Sequence, residues 1–189
     1  MKKIILASGS PRRKELLEEL HLDFRVAPKF GCDESYDPQL PPEKVPQYLS
    51  QKKSEAYGGV IAGDEVLLTA DTIVIIDNKI LEKPTDAANA VEMLESLSGR
   101  THKVVTAMTL RNNSTMESLS VETLVSFREL SHSEIVWYVD NFKPYDKAGA
   151  YGAQEYMGTA AISKLEGSYH NVVGLPTAQL LEMLASWKW

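Results

Sequence analysis

A chain of 189 residues that is 43% hydrophobic and 24% charged is long enough to bury a core and lies outside the composition of disordered segments. Its 20 Lys and Arg against 26 Asp and Glu leave a net charge of −6, which excludes a broad electrostatic grip on duplex nucleic acid. Cys32 is the only cysteine, so no internal disulfide and no Cys-rich zinc site can form, and a free thiol suits a reducing, cytoplasmic setting.

In chain order, Lys3–Ser8 reads as a buried strand whose apolar stretch stops short of the ~7–15 residues of a secretory signal. Pro11–Leu20 reads as a helix with Leu16, Leu17 and Leu20 on its apolar side, and Phe24–Ala27 as a short strand before a Pro- and acid-rich loop to Pro42. A helix over Val45–Tyr57 is expected to stop at Gly58-Gly59. Glu65–Ile76 and Lys79–Glu82 form a predicted hairpin across Asp77-Asn78. Thr85 is the expected cap of a helix carrying Ala87, Ala90, Val91, Leu94 and Leu97 at helical spacing, closed by Gly99. Strands over Lys103–Arg111 and Leu119–Phe127 follow, then a short helix from Ser131 or Ser133 to Asn141. A Gly-rich loop spans Lys143–Gln154, Ala160–Leu165 reads as a strand, and Pro176 begins a final helix. No repeat or linker divides the sequence, so residues 1–189 are read as one domain of mixed α/β class. No apolar run approaches the ~18–20 residues of a membrane span.

The strongest chemical signal is Ser8-Gly9-Ser10-Pro11-Arg12-Arg13, where a strand passes into a helix. Ser10 suits the N-cap and Pro11 the first helical position. Arg12 and Arg13 then add positive charge at a helix end that already prefers anions. Backbone N–H groups, two hydroxyls and two guanidinium groups make an anion cradle. The plainer alternative is two arginines pointing into water.

Asp71 stands in the apolar run Thr69–Ile76, where an ionised carboxylate needs a cation, a metal or hydrogen bonds. Catalytic bases occupy such settings, and a structural salt bridge, for example to Lys83, is an equal alternative. Lys52 reads as an ordinary solvated helix residue, whereas Lys83-Pro84 aims a cation from the end of the sheet. Glu34 could add a carboxylate to a magnesium or manganese site or simply belong to an acidic loop. Gln154 ends the Gly-rich loop with one donor and one acceptor suited to a base edge. The loop at Gly167–Pro176 reads as a turn into the last helix. No phosphate-loop, dinucleotide or nucleophile-elbow motif is present.

Together these stretches resemble the Maf family of nucleoside triphosphate pyrophosphatases. The resemblance rests on Leu6–Arg13, Ala70–Val74, Lys83-Pro84, Leu97–His102, Asp146–Gly152 and Asn171–Pro176, which occur in the family's order over nearly the whole chain. It implies an inosine triphosphatase-like α/β fold, a mixed twisted sheet flanked by helices with two lobes around a deep cleft. It also implies cleavage of a nucleoside triphosphate to monophosphate and pyrophosphate with a divalent metal, Mg or Mn. By the same resemblance Asp71 is the proton acceptor. Ser8, Ser10, Arg13, Lys53 and Lys83 handle phosphate, Glu34 and Asp71 hold metal, and Arg12, Thr72 and Gln154 set base choice. Asp146–Gly152 followed by Gln154 is similar to the dTTP/UTP branch. Two positions depart from the family: Glu155-Tyr156-Met157 follow Gln154 where a glycine is usual, and Thr69 precedes Ala70-Asp71 where a glycine is common.

Other readings are a pyrophosphatase for another nucleotide, such as 7-methyl-GTP, and a nucleotide-sensing regulator of cell division. Retention of Asp71 and Lys83 favours an enzyme, because a sensor needs the cradle but not the base. The expected partner is the nucleotide alone, without nucleic acid or membrane, and the resemblance is compatible with a homodimer.

Overall fold

Runs of Ile, Leu, Val and Thr punctuated by Gly, Pro and Asp-Asn turns become strands, and the amphipathic stretches between them become helices. The computed structural model describes residues 3–187. In chain order the elements are β1 (Lys3–Leu6), α1 (Pro11–Glu19), β2 (Phe24–Val26), α2 (Val45–Ala56), β3 (Glu65–Ile76), β4 (Lys79–Leu81) and α3 (Ala87–Leu97). They continue with β5 (Thr101–Arg111), β6 (Met116–Phe127), α4 (His132–Phe142), α5 (Tyr156–Ala161), β7 (Ile162–Glu166), α6 (Tyr169–Val173) and α7 (Thr177–Ser186).

The strands form one seven-stranded mixed sheet in the order β2-β1-β3-β5-β6-β7, with β4 paired to β3. β1 runs parallel to both β2 and β3, with Ile5 opposite Arg25 on one side and Leu67 on the other. β3–β4 and β6–β7 are antiparallel. The β3–β4 hairpin turns at Asp77 (φ 49°) and Asn78 (φ 61°), both left-handed, as the favoured two-residue hairpin turn requires.

The chain divides into two compact units. The first comprises the residues up to Asp71, residues 106–121 and those from Gly174 onward. Its α1 buries Leu16 and Leu17, its α2 buries Val45 and Leu49, and Ile5, Ala7, Tyr57, Ile61 and Leu67 form one apolar cluster. The second comprises residues 72–105 and 122–173. There Leu94 and Leu97 of α3 and Ile135, Tyr138 and Val139 of α4 pack with Val74 and Ile76 of β3 and Val125 and Phe127 of β6.

Several local expectations are corrected. Asp86, not Thr85, caps α3: its carboxylate accepts from the Asn89 N–H at 2.8 Å, while Asn89 Oδ1 accepts from the Thr85 N–H at 3.3 Å. The reciprocal pair favours the residue one step inward. α2 ends at Ala56 because Tyr57 is already extended, before the two glycines are reached. Ala160 belongs to α5 rather than to a strand, and α5 was not anticipated. Its Gly158 lies so close to Ala153 that a Cβ there would sit 2.0 Å from the Ala153 carbonyl oxygen. Residues 169–173, read as part of a turn, form the short helix α6, which buries Asn171.

Candidate active site

The corner between β1 and α1 is built from the first unit alone. Ser10 occupies the N-cap in extended conformation (φ −77°, ψ 118°), and Pro11 starts the helix. The position agrees with the sequence, yet the Ser10 side chain makes no capping hydrogen bond and the first turn holds no acidic residue. The usual intramolecular anion at a helix N-terminus is therefore lacking.

Ser8 Oγ accepts two hydrogen bonds, from Ser10 N–H at 3.3 Å and from Arg13 Nη1 at 3.0 Å. With its acceptor sites engaged, the hydroxyl proton is left to donate outward. Arg13 also donates through Nε to the Gly174 carbonyl at 2.8 Å and through Nη1 to the Ala70 carbonyl at 2.8 Å. One guanidinium thus joins α1 to the β3 residue before Asp71 and to the segment leading into α7. Burial lowers the Arg13 pKa, Asp71 opposes that shift, Arg12 reinforces it and Glu34 opposes it. Asp71, Arg12 and Glu34 therefore all lie within electrostatic reach of Arg13.

Asp71, 9% exposed, finds its cation in Lys53. Lys53 Nζ donates to Asp71 Oδ1 at 2.7 Å and lies 2.8 Å from Glu34 Oε2. A salt bridge was an open reading for Asp71, but its partner is Lys53 on α2 rather than Lys83. Because β3 is buried on both faces, alternation along the strand does not single Asp71 out. The buried Thr69 hydroxyl donates to the Ser50 carbonyl of α2 at 2.7 Å, and Ser50 Oγ lies 2.8 Å from Thr109 Oγ1. Thr69 thus ties the Asp71 strand to the Lys53 helix.

Lys52 is more than a solvated residue. Its Nζ donates to Asp33 Oδ2 at 2.9 Å and to the Ser35 carbonyl at 2.8 Å, bracketing Glu34. Hydrogen bonding from Lys52 and Ser35 lowers the Asp33 pKa. Consecutive lysines on α2 therefore hold the loop and its carboxylate together. Among the described residues no group of three or more His, Cys, Asp or Glu forms a metal cluster.

Lys83, Thr72 and Gln154 belong to the second unit. Lys83 is exposed beside the buried Pro84, and the carbonyl of its neighbour Glu82 accepts from Gly149 N–H at 3.1 Å. Thr72 is half-buried, and Gln154 is exposed on a turn. Other matching motif residues are architectural here. His102 Nε2 lies 2.6 Å from Tyr151 OH inside an aromatic cluster with Phe127, and Asn171 Nδ2 donates to the Val104 carbonyl at 3.1 Å and to Thr123 Oγ1 at 2.9 Å. A nearly buried lysine, Lys147, was not anticipated as a supporting residue.

Fold and corner define a mixed α/β protein whose first unit gathers serine, arginine and lysine donors around a paired carboxylate, an arrangement suited to polyanion binding and proton abstraction. A profile for the family described as Maf-like protein matches residues 3–187, and the chain belongs to the Maf family. It is 45% identical to the dTTP/UTP pyrophosphatase of Flavobacterium johnsoniae, over 97% of this chain and 94% of that protein. It is 47% identical to the dTTP/UTP pyrophosphatase of Porphyromonas gingivalis, over 96% and 92%, and 45% to that of Bacteroides thetaiotaomicron, over 94% and 92%. Among solved structures, a HAM1 protein from Coxiella burnetii is similar with a TM-score of 0.41 and 17% identity, covering 66% of this chain and 73% of that one. Among the described residues, no helix is long and apolar enough to cross a membrane.

Proposed function

We propose that this protein is a nucleoside triphosphate pyrophosphatase that cleaves dTTP and UTP to the monophosphate and pyrophosphate. The substrate class is supported by the names of its relatives. The observation that carries the reading is the Ser8–Arg13–Lys53–Asp71 arrangement, in which donors for an anion surround one nearly buried carboxylate.

In this reading Ser8, Ser10, Arg13, Lys53 and Lys83 bind phosphate oxygens. Arg13 does so from a fixed position, since two backbone carbonyls already hold its fork. Asp71 is the general base. Lys53 fixes its Oδ1, and among the described residues Oδ2 has no hydrogen-bond partner, leaving that oxygen to take the proton of an attacking water. Such sites act mainly through positioning and through stabilisation of charge on the transferred phosphoryl group.

Glu34 and Asp71 converge on a single ammonium, so their oxygens are near enough to share a cation. Two carboxylates with substrate phosphates are a donor set suited to Mg or Mn, and that ion would neutralise phosphate charge when bound. Arg12, Thr72 and Gln154 take part in base recognition. We read residues 1–189 as one functional domain of a cytoplasmic enzyme that acts on free nucleotides.

Purified protein offered dTTP, UTP, CTP and 7-methyl-GTP with Mg or Mn should release pyrophosphate from dTTP and UTP. Release confined to 7-methyl-GTP would move the substrate assignment, and release from none would refute the enzyme reading.

A further inference from the structure

Within the second unit, Lys147 is an unusual lysine. Its side chain is only 9% exposed, and its Nζ lies 2.6 Å from Asp146 Oδ1 and 3.3 Å from Glu155 Oε1. An ammonium withdrawn from water to that degree needs paired charge, and these two carboxylates supply it. The bridge to Glu155 closes against Gly152, where a Cβ would lie 3.1 Å from Glu155 Cδ and 3.3 Å from Lys147 Cε. A Cβ there would make the Glu155 carboxylate or the Lys147 stem give by a few tenths of an ångström.

The bridge clamps a turn. Gly152 carbonyl accepts from Glu155 N–H at 3.2 Å, so Gly152 and Glu155 end a four-residue turn with Ala153 and Gln154 at its centre. Ala153 is buried and Gln154 points out to exposure. Beyond the turn, Thr159 N–H donates to the Glu155 carbonyl at 3.0 Å and starts α5. Before it, the Lys147 carbonyl accepts from Ala150 N–H at 3.1 Å, and Gly149 N–H donates to Glu82, the neighbour of Lys83. One end of the bridge is thus tied to the Lys83 segment and the other to the base of α5.

We infer that Lys147 is a positioning residue: its ion pair with Glu155 straps the Gly152–Glu155 turn and sets where Gln154 presents its carboxamide to a pyrimidine base. The inference rests on the proposed function, in which Gln154 recognises the base. A carboxamide offers one donor and one acceptor, and turned over it matches cytosine as well as uracil. Discrimination therefore depends on holding the group in place, and the Lys147–Glu155 ion pair spans this turn.

The test compares wild type with Glu155→Gln, Lys147→Met, Lys147→Arg and Gln154→Ala, measuring kcat and KM for dTTP, UTP and CTP. Glu155→Gln preserves side-chain size, so the test stands even if Lys147→Met fails to fold. Breaking the strap should raise KM for dTTP and UTP about tenfold, leave kcat within about twofold, and reduce the UTP-over-CTP preference about tenfold. Lys147→Arg, which keeps the charge, should recover most of that preference. Unchanged KM and preference in folded Glu155→Gln would overturn the strap, as would an equal loss for every triphosphate. A silent Gln154→Ala would overturn it too, because the strap would then position nothing. Wild type that turns over none of the nucleotides would instead refute the proposed function.

Discussion

Two motif stretches of similar appearance fold to opposite purposes. The Ser8–Arg13 corner of the first unit is held by charge: Arg13 on the Ala70 and Gly174 carbonyls, Lys53 between Asp71 and Glu34. The Leu97–His102 stretch of the second unit ends in a neutral, buried pair, His102 with Tyr151, packed edge-on to Phe127. Ser98 Oγ there accepts from the Leu130 N–H at 2.8 Å, a link between backbone segments. Charge kept partly accessible can meet a ligand, whereas neutral polar groups sealed inside a core serve the fold.

The sharpest break of this contrast is Asp71→Asn, which should lower kcat by about 10²–10⁴-fold while triphosphate binding, followed by calorimetry, persists. Full turnover in that variant would remove Asp71 as the base. Next is acid stability. Burial alone pushes the His102 imidazole from 6.5 down to about 4, so the neutral form is favoured in the fold. The unfolded chain takes up the proton first; this contribution is complete above pH 6.5 and is lost as pH falls through 4, by about 3 kcal/mol. Denaturant melts of wild type and His102→Gln across that range should diverge, and parallel curves would contradict the assignment.

Arg13→Ala should cost about 1–3 kcal/mol of stability through the carbonyls it abandons, and it should weaken nucleotide binding as well. Arg13→Lys should not restore both, since an ammonium cannot reproduce the fork. Unchanged nucleotide affinity in Arg13→Ala would count against the cradle. The smallest expected effect is Thr69→Val, about 1 kcal/mol in thermal or denaturant melts, from loss of the Thr69–Ser50 bond between β3 and α2.

The parts of the molecule readable in advance are those governed by local rules. Ser10-Pro11 announces a helix start, Asp77-Asn78 a tight hairpin, and two arginines at a helix N-terminus an electrostatic oddity. Relations between distant residues are not readable from local rules, and only the family resemblance grouped Glu34, Lys53 and Asp71. Glu34, Lys53 and Asp71 meet only because a loop, a helix and a strand converge, and nothing local in Lys53 separates it from Lys52. Arg13 binds backbone carbonyls, and any residue carries one. The Lys147–Glu155 pair is not legible in the sequence, because it closes against Gly152 across eight residues of chain. α5 escaped because a six-residue helix with glycine at its third position has little periodicity to read.

The central claim is that the corner where β1 enters α1 receives a triphosphate. A crystal structure of the Asp71→Asn protein grown with dTTP or UTP addresses it most directly. Phosphate oxygens should lie against Ser8, Ser10, Arg13 and Lys53. A nucleotide bound with its phosphates away from those four side chains would contradict the account.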